Sequence, residues 1–108
     1  MIKVRAWNKK TSSWIYWIVG EDCMCDLLVH GFLDKESLGL FTGLLDSDGK
    51  ELWEGDIARE GGRLGVIKYS KQYARFEIEF PTGRAGLYVF YGKIIGNLTE
   101  NPELMEAK

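Results

Sequence analysis

The sequence predicts a mainly β protein: an antiparallel small barrel, SH3-like or partly open, with an N-terminal hairpin lobe and a short C-terminal helical turn. Three observations carry that reading. Short apolar runs recur at close, even spacing between glycine-rich and polar turns. Ala74–Phe80 alternates strictly, with Phe76, Ile78 and Phe80 on one side and Arg75, Glu77 and Glu79 on the other. Helical periods are scarce throughout the 108 residues. The chain divides into 1–40, a hairpin with an irregular segment, and 41–108, the barrel-like part, either as two lobes or as one continuous domain.

Taken in order, Lys3–Trp7 reads as a strand, Asn8–Ser12 as a polar turn, and Trp14–Val19 as the return strand, ended by Gly20. No clean period runs through residues 21–40, where Asp34 is expected to cap a short helical turn. Phe41–Leu45 and Glu51–Trp53 flank Asp46-Ser47-Asp48-Gly49-Lys50, and Asp-Gly supplies the positive φ that tight hairpins demand. A second turn, Glu54-Gly55-Asp56, delivers the chain into Ile57–Arg59; Gly61-Gly62 closes the next hairpin and Leu64–Tyr69 runs back. Pro81-Thr82-Gly83 turns the alternating strand into Leu87–Tyr91, and Lys93–Ile95 is the last strand. Asn101-Pro102 has the signature of a helix start, with Asn as cap and Pro in the first turn.

A content of 45% hydrophobic and 28% charged residues is that of a soluble globular protein, since disorder needs fewer apolar groups. No stretch approaches the ~20 apolar residues that cross a bilayer, and Lys3 and Arg5 interrupt what a secretory leader would keep apolar. The chain is therefore expected to be mature as it stands, in the cytoplasm and away from membranes. Cys23 and Cys25 lie too close to staple a fold and call for no oxidising compartment.

The net charge of −2 conceals a segregation. Residues 1–20 hold four bases and no acid, 21–58 ten acids against two bases, and 59–93 seven bases against three acids. This pattern suits either self-complementary association or a basic face for nucleic acid.

The densest acidic stretch, Phe41–Ala58, holds Asp46, Asp48, Glu51, Glu54 and Asp56. As a calcium loop it fails, because counting from Asp46 puts Lys50 where the fifth position needs an oxygen ligand. As an acid–base pair, Glu54 and Asp56 lack any sign of an enclosing pocket. Two turns explain the acids and glycines more economically.

These residues carry a resemblance. "KVRAWNKKTSSWIYW", "FTGLLDSDGKELWEGDIA", "GVIKYS" and "KIIGNLTENPELM" are similar, in order, to the YopX-like family of small phage and prophage proteins. Trp53 stands where the family pattern often has tyrosine. The resemblance implies a mostly β fold with an N-terminal part and a C-terminal barrel-like part, homo-oligomers, and the cytoplasm of a bacterial host cell. It implies no enzymatic activity.

The chemistry-bearing residues leave few other options. Cys23, Cys25 and His30, with Asp22 or Asp26, offer three soft ligands and a carboxylate, but their spacing departs from known zinc sites, so no metal or other cofactor is expected. Nucleophile-elbow, phosphate-loop and dinucleotide patterns are missing, so catalysis is not expected. Arg59, Arg63, Lys68, Lys71, Arg75 and Arg84 are interleaved with Tyr69 and Tyr73 and form the candidate nucleic-acid face. Trp14–Val19 and Leu87–Tyr91 are apolar on both sides, so each needs two covers; Trp17, Val19, Tyr88 and Phe90 are the candidate contacts with a second copy. The expected function is non-catalytic binding or assembly as a homo-oligomer, with an unidentified phage or host protein as further partner and nucleic-acid binding as the alternative.

Overall fold

The computed structural model describes residues 2–18, 33–87 and 90–105. The chain forms two compact units, Met1–Phe41 and Thr42–Lys108. Among the described residues nine antiparallel strands and one 3-10 turn account for the regular structure, so the mainly β reading holds. No helix among them is long and apolar enough to cross a membrane.

In the first unit, β1 (Lys3–Asn8) and β2 (Ser13–Ile18) form a hairpin in register from Lys3↔Ile18 to Asn8↔Ser13. The loop folds because Asn8 Oδ1 accepts the amides of Lys10 and Thr11 at 2.9 and 3.3 Å, while Ser12 N–H returns to the Asn8 carbonyl. β3 (Leu33–Leu45) lies on the other side of β1. Its pairing slips between Arg5↔Gly39 and Trp7↔Asp34, two residues along β1 against five along β3. That insertion is a bulge, and side chains repair it. Trp7 N–H donates to Ser37 Oγ at 2.7 Å, and Ser37 Oγ–H passes on to the Asp34 carbonyl at 2.6 Å. Asp34 thus caps a bulge inside a strand, its Oδ1 taking the Glu36 amide, and does not start the helical turn expected there. The bulge also breaks the period-2 signal, which is why residues 33–40 show no clean alternation in the sequence.

The second unit begins within β3, where Thr42 Oγ1 donates to the Leu52 carbonyl of β4 (Glu51–Trp53) at 2.8 Å. β5 (Asp56–Glu60), β6 (Arg63–Ser70), β7 (Arg75–Phe80), β8 (Gly83–Gly86) and β9 (Lys93–Asn97) follow. They make one sheet in the order β8-β7-β6-β5-β9. Its outer strands do not pair with each other, so the barrel is open and not closed. Leu52, Ala58, Ile67, Ile78, Phe80 and Leu87 form the core, with Phe76, Ala85, Phe90 and Ile94 packed around it. The strict alternation of Phe76, Ile78 and Phe80 is therefore real. Ile57 and Ala58 are consecutive and both wholly buried, so β5 is covered on both faces.

Two boundaries move. The turn after β7 has only Pro81 and Thr82 between the pair Phe80↔Gly83, so the next strand is Gly83–Gly86, upstream of the expected Leu87–Tyr91. Phe90 N–H instead donates to the Leu87 carbonyl, a bond three residues long that no extended strand can make. At the C-terminal end the 3-10 turn Pro102–Met105 forms as expected. The Asn101 side chain, however, faces backwards and accepts from Asn97 N–H at 3.3 Å.

The β6–β7 loop repeats the logic of the first hairpin: four residues between Ser70↔Arg75, with Ser70 Oγ accepting the Tyr73 amide. Its last residue, Ala74, is held at φ 53°. An L-residue there costs about 1–2 kcal/mol, which glycine avoids. Ala74→Gly is expected to stabilise the protein by up to about 1 kcal/mol after the extra unfolded-state entropy of glycine, read from urea unfolding midpoints; a destabilised variant would contradict this account of the loop.

Candidate functional site

The acidic stretch is a structural clamp in the second unit. Asp46 is 7% exposed. Its Oδ1 accepts the amides of Asp48 at 2.9 Å and Lys50 at 2.8 Å, and its Oδ2 accepts the Ile94 amide at 2.9 Å. The backbone closes the same turn: Asp46 N–H donates to the Lys50 carbonyl, and Gly49 N–H, with φ +82°, to the Asp46 carbonyl. Ser47 N–H donates to the Gly92 carbonyl at 3.0 Å, beside the Ile94 bond. A two-residue piece of turn thereby mimics a neighbouring strand along the start of β9. Burial alone would raise the Asp46 carboxyl; the amides of Ile94, Lys50 and Asp48 and the Lys50 charge outweigh it and hold it below its ordinary range.

The second turn works similarly. Asp56 is buried, and its Oδ2 accepts the Trp53 amide at 2.8 Å. Gly55, at φ +93°, donates its N–H to the Ile67 carbonyl and accepts the Leu98 amide on its own carbonyl. Beyond it Asn97 Oδ1 accepts the Glu100 amide, and Asn97 Nδ2 donates to Glu100 Oε1. A Cβ on Gly96 would stand 2.6 Å from Asn101 Oδ1 and 2.9 Å from Leu104 Cδ1, so the side chains of the tail lie directly against this glycine. Two of the stretches that carry the family resemblance, "FTGLLDSDGKELWEGDIA" and "KIIGNLTENPELM", thus grip each other, Ile94 on Asp46 and Leu98 on Gly55. Asp56 thus turns its Oδ2 to the backbone of its own turn.

The basic block is divided between two faces of the sheet. Directly opposed residues share a face, so Lys68, Glu77, Glu79 and Arg84 lie together, with Arg75 two residues from Glu77. There Lys68 Nζ lies 3.1 Å from Glu79 Oε1, and Arg75 Nε donates to the nearly buried Glu77 Oε2 at 2.9 Å. Arg63 belongs to the core-facing side, its guanidinium 4.0 Å over the Phe80 ring and 3.9 Å from Glu60. Tyr69 stacks edge to face on Phe76 at 5.2 Å. Arg59 stands opposite Leu64 and Lys93, and Lys71 and Tyr73 are exposed on the β6–β7 loop. The eight residues therefore do not converge on one groove.

Of the candidate contacts with a second copy, Trp17 is half-buried on β2 opposite Val4, and Phe90 packs on the core of the second unit. Val19 and Tyr88, like Cys23, Cys25 and His30, lie outside the described residues. Sequence reasoning missed a set of ring–cation contacts in the first unit, where Arg5 lies 4.1 Å over Trp14 and Lys3 4.5 Å over Phe41. The signal was available in the alternation Lys3-x-Arg5-x-Trp7 against Trp14-x-Tyr16.

Comparison with protein families finds that the family described as YopX protein matches residues 18–106. Comparison with curated proteins finds no match.

The Asp46 clamp makes two expectations. Asp46→Asn replaces an acceptor oxygen with a donor and sets it against an amide, at a cost of about 1.5–3 kcal/mol near neutral pH. A carboxyl lowered by folding contributes stability that is present above its unfolded value, near 4, and lost as pH falls through the lowered folded value. Urea titrations from neutral to strongly acidic pH should show the wild-type and Asp46→Asn curves converging as acid is added; parallel curves would mean that Asp46 is not the group that titrates.

Proposed function

The chain belongs to the YopX protein family, and from the surface of its first unit we propose that it works by binding and assembly as a homo-oligomer, without catalysis. The observation that carries this reading is β2. Trp14, Ile15, Tyr16, Trp17 and Ile18 are five large apolar residues in a row, and none of them is buried. Tyr16 is exposed and the other four are half-buried, and monomers rarely present so long an apolar run at their surface. Ile15 and Trp17 lie on the face of the buried Val4 and Ala6, so a second copy placed there would extend an existing apolar layer. The segregation of charge, basic in residues 1–20 and acidic in 21–58, supports self-complementary pairing of copies. In this reading the protein is a phage- or prophage-type component of the cytoplasm of a bacterial host, and an unidentified phage or host protein is its further partner.

Sedimentation equilibrium tests the proposal. The wild type should exceed the mass of one chain, and Trp17→Glu should fall towards that mass with its far-UV circular dichroism unchanged. A monomeric wild type would end the proposal. Phe90→Glu provides the contrast: because the half-buried Phe90 packs on the core, it should lower stability by setting a charge against apolar neighbours.

A second reading, nucleic-acid binding by the Arg59–Arg84 block, has one favouring observation. The β6–β7 loop exposes Tyr73 to 57%, with the Arg75 guanidinium 5.2 Å from its ring and Lys71 beside it. Lys71→Glu should then weaken binding to a labelled oligonucleotide, most at low salt. Unchanged binding would remove this loop from consideration.

A further inference from the structure

The turn that begins at Asp46 also holds a chemically reactive dipeptide, Asp48-Gly49, and the fold restrains both of its reacting parts. Gly49 N–H donates to the Asp46 carbonyl at 3.0 Å, which closes a β-turn over Asp46–Gly49. Among the described residues only Ser12 and Ala74 hold a positive φ without being glycine, so neither Ser47 nor Asp48 does. The turn is therefore type I, followed by Gly49 at φ +82°. In a type I turn the third residue, here Asp48, has a ψ of about 0°. At that angle the Asp48 nitrogen eclipses the Gly49 nitrogen across the Cα–C bond, and the Asp48 Cβ stands out of their plane. The carboxylate leans on β9, with Oδ1 3.7 Å from Lys93 Nζ. Asp46 Oδ1 accepts the amides of Asp48 at 2.9 Å and Lys50 at 2.8 Å, so the chain is held on both sides of the dipeptide. Asp48 and Gly49 are themselves exposed, and water has access to the bond between them.

We propose that Asp48-Gly49 is a latent site of backbone modification, isomerisation to isoaspartate, and that the Asp46 clamp keeps it closed. In this reaction the Gly49 amide nitrogen attacks the Asp48 side-chain carboxyl carbon. A new C–N bond forms, the amide proton and the carboxyl hydroxyl leave as water, and a five-membered imide results. With no Cβ on Gly49, nothing crowds the attacking nitrogen. Water then opens the ring. Attack on the side-chain carbonyl restores aspartate. Attack on the main-chain carbonyl breaks the original peptide bond and leaves isoaspartate, with the chain running through the side-chain carbon. The net change is an isomerisation, and water is its one co-reactant. Ring closure brings Cβ into plane with the Gly49 nitrogen, so Asp48 has to leave its turn angle. The bonds from Gly49 to the Asp46 carbonyl and from Lys50 to Asp46 Oδ1 must break for this to happen. The product cannot remake them unchanged, because an extra methylene now lies in the main chain between Asp46 and Lys50. Asp46 thus guards the site, and modification of the site disarms Asp46.

The experiment incubates the full chain at neutral pH, native and in urea, and reads isoaspartate at Asp48 by peptide mass spectrometry with electron-transfer fragmentation. Isoaspartate should accumulate in urea, and at least about tenfold more slowly in the native protein, as charge-assisted bonds closing the turn require. Asp46→Ala should raise the native rate about tenfold. Alanine is the replacement because asparagine would add a second imide-forming residue. Ile78→Val removes a methylene from the core, away from the turn. It should lower the urea midpoint and leave the native rate as in wild type, which separates the clamp from global stability. Far-UV circular dichroism checks that both variants are folded, and the wild-type comparison decides the matter if Asp46→Ala is not. The inference fails if no isoaspartate forms in urea or if native wild type isomerises as fast as the unfolded chain. It fails equally if folded Asp46→Ala is no faster than wild type, or if Ile78→Val is accelerated as much.

Discussion

One carboxylate organises the second unit. Asp46 gathers amides from its own turn and from Ile94, 48 residues away, and no other residue type does this as well. Asparagine offers a single acceptor atom; glutamate is a methylene too long to close on the amide two residues ahead. The consequence reaches beyond the turn. β9 ends the five-stranded sheet, and the outer groups of an end strand invite pairing with foreign chains. Ser47 N–H on the Gly92 carbonyl and the Ile94 amide on Asp46 occupy those groups where β9 begins. The clamp holds the β3–β4 hairpin in place and blunts a sheet edge with the same atoms.

Charge is used differently in the two units. On the outer face of β6 and β7 each cation has a carboxylate within reach, as in Lys68 with Glu79 and Arg75 with Glu77. The exposed Lys68–Glu79 pair contributes about 0–1 kcal/mol, so the main effect of such pairing is to set acids among the bases of that face. In the first unit Arg5 and Lys3 lie over the rings of Trp14 and Phe41. A ring screens a cation without neutralising it, and Arg5 is buried beside its ring. Seven bases against three acids in residues 59–93 looked the stronger electrostatic signal in the sequence, yet the sheet register places the acids among the bases.

Local rules made most of the fold legible. Asp48-Gly49 and Gly61-Gly62 announce turns through backbone chemistry that no neighbour can override, and Phe76, Ile78 and Phe80 announce a face through alternation. What escaped was set by distant partners. The bulge at Asp34 depends on Trp7 N–H finding Ser37, and such an insertion erases the very periodicity by which a strand is recognised. The misplaced strand at Leu87–Tyr91 has a related cause: apolar residues on both sides of a short run fit a turn folded onto a core as well as they fit a covered strand. Asp46 was read correctly as part of a turn, but its bond to Ile94 leaves no local trace. The acids were legible as structure, and the grip between the two family stretches was not.

Size bears on why the proposed association surface lies on the first unit. The second unit is complete in itself: β5 is covered on both faces, and Ile57 and Ala58 have no exposed surface. The first unit, Met1–Phe41, lies near the ~40-residue limit below which a chain of its kind needs a metal, a disulfide or association to bury enough surface. Its fully covered apolar side chains among the described residues are Val4, Ala6 and Leu33, while the five apolar residues of β2 all keep some exposure. Such a unit gains stability from whatever it docks against. The two faces of β2 also differ in kind: Ile15 and Trp17 extend an apolar layer, whereas Trp14 and Tyr16 adjoin Arg5. Alternation along one strand thus gives a small unit two faces of distinct chemistry.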